Sequence, residues 1–118
     1  MQVQKVISVG GNPELLWLRN AVLKYEGFDV MTSLRQEDAL EAILRGDCGT
    51  LLMCYSMDRT ARQVLAQAFR QYCPGGRIVA ITNEQTETPE FADTFVYGVE
   101  GPEALIEAIR QRETSVGA

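Results

Sequence analysis

An α/β fold, a parallel sheet covered by helices on both faces, is what this sequence predicts, on three observations. Five times along the chain a short β-rich apolar run is followed by a helical pattern or a polar stretch. Every connection between them is short. The central runs are apolar at successive positions, as strands buried on both faces are. Such alternation implies parallel strands joined by right-handed crossovers.

Lys5 to Gly11, "KVISVGG", reads as the first strand, ended by glycines. In "NPELLWLRNAVLKYEGF" Asn12 is a good N-cap and Pro13 suits the first helical position. Leu15, Leu18, Val22 and Tyr25 recur at helical spacing, with Ala21 beside them, and are expected to face inward; Gly27 is the stop. "FDVMTS" is the second strand. "RQEDALEAILRGD" is the second helix, with Leu40, Ile43 and Leu44 inward and Gly46 closing it. "GTLLMC" is the third strand and ends at Cys54, at the strand end where open α/β sheets place their ligands. Asp58 is a cap for "RTARQVLAQAFRQY", whose stripe is Ala61, Val64, Leu65, Ala68, Phe69 and Tyr72; "CPGG" breaks it. "RIVAIT" is the fourth strand. "NEQTETPEFAD" is polar, with room for only a short helix. "TFVYG" is a short fifth strand. "GPEALIEAIRQR" is the last helix, with Leu105, Ala108 and Ile109 inward and Pro102 near its start. Residues 1–112 are expected to form one domain and 113–118 a flexible tail or the start of a linker.

At 118 residues the chain is long enough for one domain, and 46% hydrophobic with 23% charged residues is an ordinary globular balance. The net charge is −5 and the 11 Lys and Arg are scattered. That argues against nucleic acid and against an anionic membrane surface, both of which need concentrated basic charge. No apolar run approaches the ~20 residues of a membrane span. The start, "MQVQKVISVGG", lacks the pattern of a secretion signal, so a cytoplasmic location is expected. Cys48, Cys54 and Cys73 form no close pair, which disfavours a disulfide scaffold or a thiol-rich zinc site. The chain has no histidine, which removes Ser-His-Asp and Cys-His catalysis and histidine-ligated metals. No cofactor and no metal are expected.

Three stretches carry a resemblance that covers Lys5 to about Arg112. "VISVGGNPELL", "RIVAIT" with its terminal hydroxyl, and "ADTFVYGVEGPEAL" with its aromatic are similar to parts of the receiver domain of two-component response regulators. The resemblance implies a doubly wound sheet of strand order 2-1-3-4-5, flavodoxin-like, with a phosphoryl-transfer site at the strand ends. It implies two acidic residues after strand one, an aspartate nucleophile ending strand three, a Thr or Ser after strand four and a Lys after strand five. The carboxylates of such a site hold Mg²⁺.

On this chain the acidic pair falls on Gly10 and Gly11, the phosphoacceptor on Cys54, the hydroxyl on Thr82 and the Lys on Gly98. Only the hydroxyl is kept. Mg²⁺ wants oxygen ligands, and Gly10, Gly11 and Cys54 supply none from their side chains. The loop after Cys54 lacks the family's Pro and Gly, and Asn83 stands where the family prefers a small residue. The chain is thus expected to be a degenerate, non-phosphorylated receiver. Thr82 and Phe95 fall on the family's switch positions; the plainer reading is that Thr82 ends a strand and Phe95 packs in the core.

Other candidates are weaker. Cys54 as a reactive thiol lacks a base, and "CYSMDR" leaves one residue too few before Arg59 for a cysteine-phosphatase loop; a small buried filler is the simpler role. "VGGNPE" is neither GxGxxG nor a P-loop. Glu84, Glu87, Glu90 and Asp93 read as a solvated acidic loop. Trp17 sits off the centre of the first helix's stripe, where it either anchors a partner or packs on a neighbouring helix. The expected function is a non-enzymatic signalling module in a bacterial two-component or phosphorelay context, acting through a protein partner or self-dimer. The family's face of fourth helix, fifth strand and fifth helix would include Phe91, Tyr97, Glu103, Glu107 and Arg110 here. The alternatives are a small-molecule or anion sensor using the pocket around Gly10, Gly11, Cys54 and Thr82, or redox chemistry at Cys54.

Overall fold

In the computed structural model the strands are β1 (Lys5–Val9), β2 (Asp29–Ser33), β3 (Thr50–Cys54), β4 (Arg77–Thr82) and β5 (Thr94–Tyr97). They pair in the order β2-β1-β3-β4-β5, all parallel. The helices are α1 (Pro13–Tyr25), α2 (Gln36–Leu44), α3 (Arg59–Tyr72) and α4 (Pro102–Arg110). The structure describes residues 5–10, 12–46, 48–54, 57–82, 92–97 and 102–110. The expected short helix before β5 and the expected tail at 113–118 lie outside them.

The two-residue period of the strands sorts the core into two layers. Ile7, Val9, Leu51, Met53 and Ile78 pack with Ala39 and Ile43 of α2 and with Leu65 and Phe69 of α3. Val6, Leu52, Val79, Ile81 and Val96 pack with Leu23 of α1 and with Leu105, Ala108 and Ile109 of α4. The five-stranded, doubly wound α/β order expected from the sequence is the one observed.

Local chemistry sets the helix ends. Asn12 Oδ1 accepts from the N–H groups of Glu14 (3.0 Å) and Leu15 (3.2 Å), two donors with no partner inside the helix. Asp58 Oδ2 accepts from Thr60 N–H at 3.1 Å at the start of α3. α1 ends two residues before Gly27, whose φ of 95° is open to glycine at little cost.

Three expected stripes need correction. On α1 the buried residues are Leu16 and Leu23. Leu18 and Tyr25, expected inward, are 55% and 88% exposed. The helix is apolar on two opposite sides, and spacing alone does not say which side meets the sheet. On α2 the buried residues are Ala39, Ala42 and Ile43, whereas Leu44 is exposed and Leu40 lies at the edge. The alanines let the helix backbone approach the sheet closely, which turns the bulkier leucines aside. On α3 Leu65, Ala66 and Phe69 are buried, and Val64 and Tyr72 flank them toward solvent. On α4 the expected Leu105, Ala108 and Ile109 are the buried residues.

Candidate functional site

Parallel strands bring their carboxyl ends to one rim. There β1 runs into Gly10, β3 ends at Cys54 and β4 ends at Thr82. Val9 pairs with Met53 and Cys54 with Ile81, so Gly10 lies beside Cys54. A Cβ placed on Gly10 would sit 3.2 Å from Cys54 Cβ and 3.5 Å from Leu16 Cγ and Cδ2. Cys54 is 1% exposed, and Gly10 and Thr82 are also buried. The Cys54 carbonyl accepts from Met57 N–H at 3.0 Å, which starts the turn toward α3. Gly10 N–H donates to the Ser33 carbonyl at 3.4 Å, extending the β1–β2 ladder past the last strand residue.

These contacts decide what the rim can hold. At the rim the position beside Cys54 is a glycine, and its nearest side-chain neighbours are the Cys54 Cβ and Leu16. Neither supplies an oxygen, and a hard divalent cation needs several. The described residues therefore do not fit Mg²⁺. Among them no group of three His, Cys, Asp or Glu comes close enough to hold a metal ion. Gly11 and Gly98, the other positions to which the resemblance assigns charged residues, lie outside the described residues.

Phe95 departs from the core packing that the plainer reading gave it. Its neighbour Val96 turns into the layer under α4, so Phe95 points to the other side of a short edge strand and is 41% exposed. Of the expected interface residues, Glu103 and Glu107 are exposed on α4. Arg110 is exposed too, but it also holds α4 to the end of α1. Its Nη2 lies 3.2 Å from Glu26 Oε1 and its guanidinium stands 5.5 Å from the Phe28 ring centroid. Phe91 lies outside the described residues, and Tyr97 enters only through its backbone pairing with Thr82.

Asp93, expected as part of a solvated acidic loop, is instead a built contact. Arg70 of α3 donates to both its oxygens, at 2.9 and 3.0 Å. Ile78 N–H donates to Oδ2 at 2.8 Å, while Asp93 N–H donates to the Ile78 carbonyl at 2.9 Å. Beside it Arg77 donates to the Thr94 hydroxyl. Burial alone would raise the Asp93 carboxyl; the Arg70 and Ile78 hydrogen bonds and the charges of Arg70 and Arg77 outweigh it and hold the group below its ordinary value. No local sequence signal marks this contact, because Arg70 and Asp93 are far apart in the chain.

Trp17 is 68% exposed. Pro13, Glu14, Trp17 and Leu18 line a shallow open cleft on α1. No described helix is long and apolar enough to cross a membrane.

No protein-family model matches this sequence, and no curated protein matches it. Solved structures do match. A CheY-like receiver domain protein from Methanospirillum hungatei JF-1 superposes with a TM-score of 0.80 at 17% identity, over 97% of this chain and 99% of that one. The chemotaxis response regulator CheY4 of Vibrio cholerae gives 0.79 at 18% identity, over 93% and 98%. TrrA from Thermotoga maritima, in complex with Mg²⁺ and BeF, gives 0.80 at 18% identity, over 93% and 99%. The chain has the receiver fold over nearly its whole length.

Proposed function

We propose that this chain is a signalling module on the receiver fold that works through protein contacts and accepts no phosphoryl group at its strand ends. The observation that carries the proposal is that Gly10 and Cys54, side by side and buried at the strand ends, offer no side-chain oxygen. A phosphoryl-transfer site needs clustered oxygen ligands, a metal ion and space for the transferring group. Here the resemblance puts a glycine, Gly10, and a thiol, Cys54, at carboxylate positions. The two-component setting is inferred from the fold it shares with response regulators such as CheY4 of Vibrio cholerae.

Incubation with acetyl phosphate and Mg²⁺, followed by intact-mass measurement, tests this. No mass gain is expected. A hydroxylamine-labile gain located on an aspartate would overturn the proposal. Cys54→Asp alone is also expected to stay unmodified, because one carboxylate does not rebuild the metal site. The smallest set with a chance of doing so adds Gly10→Asp, Gly11→Asp and Gly98→Lys.

A further inference from the structure

We infer that the solvent face of α1 is the seam of a homodimer, in which a second copy of this chain packs antiparallel across Glu14, Leu18, Ala21 and Tyr25. The inference rests on the reading of the chain as a protein-contact module and names its partner.

α1 carries two apolar stripes. Leu16 and Leu23 face the sheet. At ~100° per residue, Leu18 and Tyr25 lie on the opposite side, in line with Glu14 and Ala21. All four are exposed. Their spacing alternates between four and three residues, the spacing of a coiled-coil seam. The stripe runs for about 17 Å along the helix, at 1.5 Å per residue.

The seam matches itself when reversed. In a two-fold interface, each residue that meets a second residue is met by it in return. Turning α1 about its midpoint sets Leu18 against Ala21 of the other copy, a large side chain over a small one. The same turn sets the Glu14 carboxylate against the Tyr25 hydroxyl, an acceptor against a donor. Trp17 and Lys24 lie on one flank of the seam, and a two-fold axis keeps flanks together. Each Lys24 ammonium therefore approaches the Trp17 ring of the other copy, a cation–π arrangement. Antiparallel packing also brings the acidic first turn, with Glu14, to the basic last turn, with Lys24. A parallel pair would set Glu14 against Glu14. An unrelated helix would have no reason to match this reversal, which is what favours a second copy.

The size of the contact sets its strength. Trp17, Leu18 and Tyr25 leave about 400 Å² of side-chain surface exposed, taking aromatic side chains at roughly 150–250 Å² each. A stable specific interface buries about 800 Å² per partner. The apolar ridge supplies half of that, so the dimer is concentration-dependent.

Sedimentation equilibrium of the full chain from about 5 to 500 μM, the range of weak specific complexes, tests this. The expected result is a mass rising from monomer toward dimer, with emission from Trp17, the single tryptophan, shifting to the blue over the same range. Leu18→Lys should abolish the rise. Tyr25→Lys applies the same test from the other end of the seam should Leu18→Lys fail to fold. Glu14→Lys should weaken association by about tenfold through like-charge contact with Lys24. Glu14→Lys combined with Lys24→Glu should associate more tightly than Glu14→Lys alone, though less than the parent, because the exchange gives up the Lys24–Trp17 contact. A chain that stays monomeric throughout overturns the seam, as does a dimer indifferent to Leu18→Lys or an exchange no tighter than Glu14→Lys alone. The phosphodonor experiment is independent of these. A monomer that takes no phosphoryl group removes the seam and leaves the proposed function, and a dimer that is phosphorylated does the reverse.

Discussion

Replacing Cys54 in two ways separates packing from charge at the rim. Cys54→Ala removes one sulfur from a site that is 1% exposed and lies beside Gly10. The expected loss is about 1 kcal/mol, the transfer of a small apolar group plus a small void. Cys54→Asp has nearly the size of the original side chain but adds a carboxyl. In water-excluded surroundings a carboxyl is raised by roughly 3 units or more. At about 1.4 kcal/mol per unit, that costs on the order of 4 kcal/mol near neutral pH, out of a total of roughly 5–15 kcal/mol for a domain. The direction of its pH dependence follows. A carboxyl raised in the folded state destabilises fully above its folded value, and the penalty disappears as pH falls to the unfolded value of about 4. Urea melts of both variants and the parent chain at pH 7 and pH 5 give the differences. Cys54→Asp should lose several-fold more stability than Cys54→Ala at pH 7, and the gap should narrow at pH 5. Equal losses at pH 7, or a gap that widens with acid, would refute the picture of a closed neutral plug.

The Arg70–Asp93 pair makes a second pH prediction. Its carboxyl is held low in the fold, so it adds stability above the unfolded value of about 4, and that stability is lost as pH falls through the lowered folded value. The pair is partly exposed, so solvent screening keeps its share to about 1 kcal/mol. Asp93→Ala should lower thermal stability at pH 6 and flatten its decline toward pH 3; an unchanged acid profile would contradict this. Gly76→Ala should be the costliest glycine change tested, roughly 1–3 kcal/mol. The added Cβ would lie 2.8 Å from Phe69 Cε2, closer still to Cζ, and 3.1 Å from the Gly49 carbonyl, with Phe69 fully buried. Gly27→Ala meets nothing within 4 Å and bears only the left-handed backbone, about 1 kcal/mol, so melts should rank it second. Cys48, Cys54 and Cys73 are buried and in no disulfide, so a thiol reagent should find none fast in the folded chain and all three in urea. A fast native thiol would reopen chemistry at Cys54.

The sheet was legible because its signals are local. Runs such as Leu51–Met53 must be apolar on both faces when helices cover both, and Asn12, Pro13 and Asp58 mark helix starts by their own hydrogen-bonding chemistry. The adjacency of Gly10 and Cys54 at the rim follows from the same strand order, and neither side chain has an oxygen wherever it points. What spacing did not reveal is direction. On α1, Leu18 and Tyr25 make as good a stripe as Leu16 and Leu23, and only the approach of the sheet chooses between them. Alanines decided α2, where a stripe judged by bulk passed over Ala39 and Ala42. Asp93 was beyond reach, because its meaning depends on Arg70, brought near only by the completed fold.

The 3.2 Å approach of the Gly10 Cβ position to Cys54 also bears on how such a site changes over generations. A side chain at Gly10 must displace the Cys54 Cβ by a few tenths of an ångström, and a carboxylate at Cys54 would be buried. Each first step toward a charged site is uphill alone, and residues in direct contact do not combine additively. A neutral pair of this kind is therefore self-sustaining, whichever position mutates first. Substitutions on the outer surface meet no such coupling and are the ones expected to cost least.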